Sequence, residues 1–333
     1  MPIDVHAHYV PETLLAAIRR DGAGIGVRLE DRDGSPPALS FDYGFKARPF
    51  FPKLVEPAEA RRRSLEKQGL DRQFVATWPD IYGYGLEAQA CRAWHCMLND
   101  TLAQWCAEQS DRFSLVASVP LPDGDDAAME LRRAVGLGAV AVMVPANVEG
   151  TNLGEVPLDA FWAAAESTST PVMVHPVLAG PAPRAAKFGL TQIVQYTFDT
   201  TLAVGSLLSA GVLDRFPRLV LAPAHGGGAF PYLLGRFDVM HARMDRAAQG
   251  DVALAAPSEY APRLVYDTIV HAPKALRFLA DVVGLDQLVL GTDESFPPAD
   301  LDPIGTLNMA RFSRAEIQRI CEDNPRRIFS RCP

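Results

Sequence analysis

A chain of 333 residues with only seven histidines allows each to be weighed individually. Four of them, together with one aspartate, stand where the chain could assemble a metal centre. His6 and His8 form the run His-Ala-His, and in an extended strand a period of two turns both rings to one face, a chelating arrangement. His175 closes the run Val-Met-Val-His, His225 opens His-Gly-Gly-Gly, and Asp293 closes Leu-Gly-Thr-Asp. Three imidazoles and one carboxylate suit Zn²⁺ or a similar divalent ion that keeps positions open for water or substrate. The fifth group is then free to move a proton, and on residue type alone His225 can be that carrier or a further ligand. One ion is expected rather than two, because the run Ala-Val-Ala-Val-Met-Val at 139–144 offers neither a bridging carboxylate nor a lysine.

These five residues are scattered from position 6 to position 293, so a fold must gather them. Short apolar runs rich in β-branched residues recur eight times, at 3–9, 73–78, 113–119, 139–144, 172–175, 219–224, 264–269 and 288–292, each followed by a helix-like stretch. Helix starts are marked at Glu56-Pro57, Asp125-Asp126, Pro157-Leu158-Asp159 and Ala272-Pro273. Eight alternating β and α units predict an α/β protein, a (β/α)₈ TIM barrel, with an open doubly wound sheet as the second choice. In a barrel the candidate ligands lie where strands end and converge on one axis. The Gly-, Pro- and Asp-rich stretch from about 20 to 52 reads as a long β1–α1 insertion over that mouth. Residues 1–333 are expected to form one barrel domain.

The other histidines point elsewhere. His95 is expected in the core and His241 on a solvated helix face, whereas Asp267 or His271 could orient a ligand from behind. The three glycines after His225 let backbone approach the site and could open the next helix towards an anion.

Composition narrows the function classes. Lys plus Arg number 32 against 40 Asp plus Glu, a net charge of −8, and the longest basic run is Arg61-Arg62-Arg63, which argues against a nucleic-acid partner. No uncharged apolar stretch reaches the ~20 residues that span a bilayer, so no membrane partner is expected. Five cysteines, an odd number without a disulfide-like spacing, fit a reducing cytoplasm.

The motifs Ile-Asp-Val-His-Ala-His, Val-Met-Val-His-Pro, Ala-His-Gly-Gly-Gly-Ala-Phe-Pro-Tyr-Leu-Leu-Gly-Arg and Leu-Gly-Thr-Asp together resemble the aminocarboxymuconate-semialdehyde decarboxylase family of the amidohydrolase superfamily, over essentially the whole chain. The resemblance implies a (β/α)₈ barrel with one divalent metal, zinc in the first place and manganese as the alternative. It places the metal ligands on His6, His8, His175 and Asp293 and the catalytic acid/base on His225, with Asp293 counted in the catalytic group as well. It also implies carboxylate-binding arginines at Arg236, Arg243 and Arg48. The resemblance further implies a homodimer with an arginine shared across its interface.

Two departures fall at the expected pocket wall. Gln192 stands where the family has a tryptophan, and the family's Tyr-Pro-Phe-Pro becomes Glu294, Ser295, Phe296, Pro297. Gln192 and Phe296 are therefore expected to touch substrate. The activity implied is nonoxidative decarboxylation of a small unsaturated or hydroxylated aromatic carboxylic acid. A metal-dependent hydrolase or hydratase acting on a related ring-cleavage product is the alternative, because the same ligands can activate water.

Overall fold

The computed structural model describes residues 1–32, 34–178, 183–243 and 253–332. Its strands are β1 (Ile3–His8), the antiparallel hairpin β2 (Val27–Arg32) and β3 (Ser35–Phe41), β4 (Arg72–Ala76), β5 (Phe113–Ala117), β6 (Ala141–Pro145), the small hairpin β7 (Asn147–Val148) and β8 (Thr151–Asn152), β9 (Val172–His175), β10 (Leu221–Pro223), β11 (Tyr266–Asp267) and β12 (Leu288–Val289). Every one of the eight apolar runs contains a parallel strand. Six of these form one sheet in the order β1-β4-β5-β6-β9-β10, and β11 pairs with β12. The main-chain N–H of Val265 donates to Leu221 O at 2.9 Å, and that of Val5 donates to Leu290 O at 2.9 Å. The sheet is thus parallel and curled.

A helix follows each parallel strand, and all but the last connect one strand to the next, as parallel pairing demands. They are α1 (Glu12–Asp21), α2 (Ala58–Lys67), α3 (Ala88–Glu108), α4 (Gly124–Gly136), α5 (Asp159–Ser167), α6 (Tyr196–Ser209), α7 (Phe230–His241), α8 (Pro273–Val283) and α9 (Pro303–Met309). Helices α2, α4, α5 and α8 begin at or within two residues of the start signals read from the sequence. Asp123, for example, caps α4 by accepting from the N–H groups of Asp125 and Asp126. Among the described residues, no helix is long and apolar enough to cross a membrane. The stretch from about 20 to 52 begins inside the last turn of α1, so a helix precedes it, and its main feature is the β2–β3 hairpin.

Two apolar layers result. Ile3, Val5, Phe74, Met143, Met173 and Phe329 fill the inside of the curl. Leu115, Val142, Val174, Trp94, Trp162 and Phe230 belong to the layer between sheet and helices.

Strand β1 carries a feature that plain alternation misses. Ile3 and Val5 share one parity, His6 and His8 the other, yet all four face the inside. The register explains it: Asp4 pairs with Gln73 but Ala7 with Val75, so Val5 and His6 together oppose Phe74 in a β-bulge. Below the bulge the strand supplies core; above it, two imidazoles. Asp4 is left facing outwards with Gln73.

Candidate active site

Five side chains from four strand ends, β1, β9, β10 and β12, meet at the rim of the curl. The Nε2 atoms of His6, His8 and His175 lie 3.6, 3.3 and 4.0 Å from Asp293 Oδ1, and His6 Nε2 is 3.2 Å from His8 Nε2. His225 Nε2 is 3.4 Å from the other oxygen, Oδ2. Counted one donor atom each, His6, His175, His225 and Asp293 lie within 4.8 Å of one another. The carboxylate of Asp293 therefore turns one oxygen to three imidazoles and the other to the fourth.

The Nδ1 side of each ring in the trio is occupied. His6 Nδ1 meets Asp267 Oδ2 at 2.8 Å, His8 Nδ1 meets Thr77 O at 3.3 Å, and His175 Nδ1 meets Pro176 O at 2.7 Å. This fixes each Nδ1 as the protonated nitrogen and leaves Nε2 with its lone pair directed at the common centre, the arrangement of metal-binding histidines. His175 Nε2 and Asp293 Oδ1 are buried with no hydrogen-bond partner among the described residues. Leaving two such atoms unpaired costs free energy unless something binds them. The donor set fits a divalent transition metal.

Electrostatics agree with that reading for His8, His175 and Asp293. Burial and the neighbouring imidazoles push the His175 imidazole well below its usual range, keeping it neutral, and burial likewise lowers His8. For Asp293 burial opposes the charge, but the close imidazoles of His225, His8 and His6 override it and hold the carboxyl well below the carboxylate range. His6 is raised, because its bond to Asp267 and the nearby carboxylates outweigh burial.

Asp267 organises the turn that carries His225. Its Oδ2 accepts from the N–H of His225 at 2.9 Å and its Oδ1 from that of Gly226 at 2.8 Å, while Oδ2 also holds His6. To present both N–H groups the chain passes through left-handed conformations at His225 (φ 56°) and Gly226 (φ 60°). A Cβ at Gly226 would lie 2.5 Å from Val270, and one at Gly228 only 2.0 Å from Thr197 O. The glycine run is a geometric requirement. These two N–H groups serve Asp267, so they do not form the anion site expected from the sequence.

Beside the cluster opens a cavity of about 660 Å³, lined by His175, His225 and Asp293 on one side and by Arg48, Phe51, Trp78, Asp80, Gln192, Tyr196, His271 and Phe296 among others. Phe296 packs on His8 with ring centroids 4.7 Å apart, and the Arg48 guanidinium lies over Phe51 at 3.9 Å. Gln192 sits on the π-helical turn Thr191–Gln195 that leads into α6. Arg236 on α7 and Arg243 just beyond it are exposed and do not line this cavity.

Other expectations need adjustment. Glu294, placed at the pocket wall by the sequence, is fully buried beneath the site and hydrogen-bonds Gln73, Gln68, Ser64 and Lys53. His241 is not a solvated residue: it is half-buried and contacts Ala253 O at 2.9 Å. His95 is indeed in the core, bonded to Ser118 Oγ at 2.8 Å. Arg61, met in the sequence only as part of a basic run, is completely buried and bonds Gln73 Oε1 at 2.8 Å, Ser295 Oγ at 2.8 Å and His8 O at 2.9 Å. The signal for it was available, since Arg61, Leu65 and Gln68 recur at helical spacing on the buried face of α2 and its end. Asp80 follows the second apolar run, so the rule that singled out the other strand-end residues also reaches it.

A profile of the amidohydrolase family matches residues 3–331, and the chain belongs to that family. It is 30% identical over 305 residues to 2-amino-3-carboxymuconate-6-semialdehyde decarboxylase of Dictyostelium discoideum, an alignment covering 91% of this chain and 84% of the relative. Gamma-resorcylate decarboxylase of Rhizobium radiobacter is 24% identical over 335 residues, covering 91% and 97%. Among solved structures, 5-carboxyvanillate decarboxylase of Novosphingobium aromaticivorans, complexed with manganese and 4-hydroxy-3-methoxy-5-nitrobenzoic acid, superposes with a TM-score of 0.81 at 20% identity, covering 99% of this chain and 96% of that one. That likeness shows the fold.

Proposed function

We propose that this protein is a metal-dependent, nonoxidative decarboxylase of a small hydroxylated aromatic or unsaturated carboxylic acid. The observation that carries the reading is the pair of unpartnered buried atoms, His175 Nε2 and Asp293 Oδ1, facing two further Nε2 atoms beside a cavity that also presents Arg48. The decarboxylase relatives support it. His6, His8, His175 and Asp293 would hold one divalent ion, zinc in our reading with manganese as the alternative, since this donor set accommodates both. When bound, such an ion polarises a substrate oxygen as a Lewis acid.

The remaining chemistry falls to side chains. Arg48 neutralises an anionic oxygen of the substrate, and Phe296 and Gln192 bound the space in which its ring or chain lies. His225, at the cavity wall and aligned by Asp293 Oδ2, donates a proton to the carbon that bears the departing carboxylate. A π pair of the substrate forms that C–H bond and leaves the adjacent carbon electron-poor; the C–C bond to the carboxylate then breaks, its electron pair re-forms the double bond, and CO₂ leaves. Asp293 keeps the imidazole oriented through the cycle. If His225 is instead a ligand, as its distance from the cluster also permits, its removal will empty the site of metal.

Several finer points belong to the same proposal. The hydrogen bonds that carry β10 to β11 and the last strand back to β1 support closure of the eight parallel strands into a ring, a single TIM-barrel domain. The 20–52 stretch acts as an insertion at the mouth, a reading supported by Arg48 and Phe51 on the cavity wall directly after it begins to fold back. A homodimer that brings Arg236 or Arg243 of one subunit to the other's cavity is supported by their exposure and by exposed Tyr232, Val239 and Met240 on the same helix. Cys91, Cys96, Cys106 and Cys321, none of them in a disulfide, fit a reducing cytoplasm.

The test is mass spectrometry of products after metal-loaded protein meets a panel of hydroxybenzoates and muconate-type acids, with chelator-treated protein as control. Metal-dependent loss of CO₂ is expected. Metal-dependent gain of water with the carboxylate retained would overturn the proposal in favour of a hydratase.

A further inference from the structure

Asp80 is the acidic group of the cavity that the reaction above leaves unused. It follows β4 in the run Trp78-Pro79-Asp80, and it lines the wall among Trp78, Leu178 and Ile193, a largely apolar setting for a carboxyl. The Leu178 N–H donates to its Oδ1 at 2.7 Å, and the Trp78 side chain also hydrogen-bonds the carboxyl. A carboxylate offers about four lone-pair sites, so roughly half of its accepting capacity stays open towards the cavity. Arg48 lines the same wall but lies over the Phe51 ring, and among the described residues no carboxylate oxygen comes within ion-pair distance of it. The cavity thus presents a cation and an anion that feel one another's charge without forming an ion pair.

We propose that Asp80 is the specificity-determining residue of this cavity, accepting a hydrogen bond from a hydroxyl or amino substituent of the substrate while Arg48 takes an anionic oxygen. The inference rests on the decarboxylase reading and adds to it which substituents the pocket selects. The physical ground is asymmetry. A substrate donor satisfies lone pairs that burial has stripped of water, whereas an acceptor-only substituent such as methoxy or a second carboxylate meets them lone pair to lone pair. Burial pushes the Asp80 carboxyl up to about 6 against the pull of its Leu178 bond, so it is ionised and accepting at neutral pH.

The test is Asp80→Asn in the metal-loaded, full-length protein, with affinities measured by calorimetry and kcat/KM measured for matched acids: hydroxy- and aminobenzoates against benzoate and methoxybenzoates. Asparagine keeps the length and an oxygen for the Leu178 N–H, but it adds an N–H₂ donor and removes the charge. Donor-bearing acids should lose about 10- to 100-fold, the size of a charge-assisted hydrogen bond, while acceptor-bearing acids hold or gain. The ratio between the two sets is the readout, because simple damage to the wall lowers both together. Equal losses, or no change in the ratio, would overturn the role of Asp80 while leaving the decarboxylase standing. If wild-type protein neither binds nor converts any acid of the panel, the functional reading itself falls, and that outcome is visible before the variant is made.

Discussion

Replacing Arg61 by methionine tests how the ligand-bearing ends of the chain are held. The guanidinium is fully buried and donates to Gln73, Ser295 and the main-chain oxygen of His8, while its Nε lies 3.9 Å from Glu294 Oε2. Methionine fills much of the aliphatic volume but removes the fully buried cation beside Glu294, leaving the partly exposed Lys53, 3.1 Å from Oε1, as its remaining ion-pair partner. Burial works to raise the Glu294 carboxyl, and the Arg61 charge with hydrogen bonds from Ser64 and Gln73 overrides it, bringing it down to about 2 from an ordinary 4.5. That depression is worth about 3 kcal/mol, close to the ~3–5 kcal/mol usually lost when one partner of a buried ion pair is removed. For a chain of this length such a loss lowers Tm by roughly 4–7 °C. Because the folded-state value is depressed, the contribution is complete above pH 4.5 and fades as pH falls towards 2. Calorimetry should therefore show the full gap between wild type and variant at pH 7 and a narrowing gap below pH 4.5. The Arg61→Met, Glu294→Gln double variant should be less destabilised than the sum of the singles. A loss under about 1 kcal/mol, or strict additivity in that cycle, would refute the reasoning.

Other expectations are as direct. His225→Ala should retain bound metal by elemental analysis and lose about 10²–10⁴ in kcat, whereas His175→Ala should lose the metal; loss of metal from both would make His225 a ligand. Asp80→Asn should melt higher than wild type at pH 7.5, because the folded state raises this carboxyl from 3.8 to about 6 and so is penalised for ionising it above that pH. The gain, about 1–3 kcal/mol, should vanish by pH 4, and a pH-independent difference in Tm would contradict it. If the cavity takes an arginine from a second subunit, inactive Arg236→Ala and His225→Ala proteins should recover about a quarter of wild-type activity when unfolded and refolded together, since half the dimers are mixed and each has one intact site. No recovery from a mixture shown to form mixed dimers would exclude the sharing.

Much of the site was legible because strand ends are marked in sequence by β-branched runs and the chemistry sits where those runs stop. His6, His8, His175, His225 and Asp293 could be read this way without a pairing scheme. What escaped depended on register and on direction. The β1 bulge is invisible to periodicity, yet without it Ile3 and Val5 would lie inside and the two histidines outside. Glu294 stands beside a ligand but points under the sheet, towards an arginine whose neighbours Arg62 and Arg63 disguise it as surface charge. The double use of Asp267, on His6 and on the His225 turn, is a contact between strands far apart in sequence. No local pattern announces it.

The junction between the first and last strands also sets the order of events in the protein's synthesis. Asp4 and Thr292, 288 positions apart, hydrogen-bond one another, and Asp293 meets His6 and His8 only through that seam. The two histidines emerge first and must wait for the aspartate, about 15–60 s at ordinary elongation rates of roughly 5–20 residues per second. During that interval they are a bare chelating pair on an unfinished strand, open to whichever ion the surroundings offer. The proposed four-donor site therefore exists only after the last strand has docked, when the carboxylate joins the imidazoles.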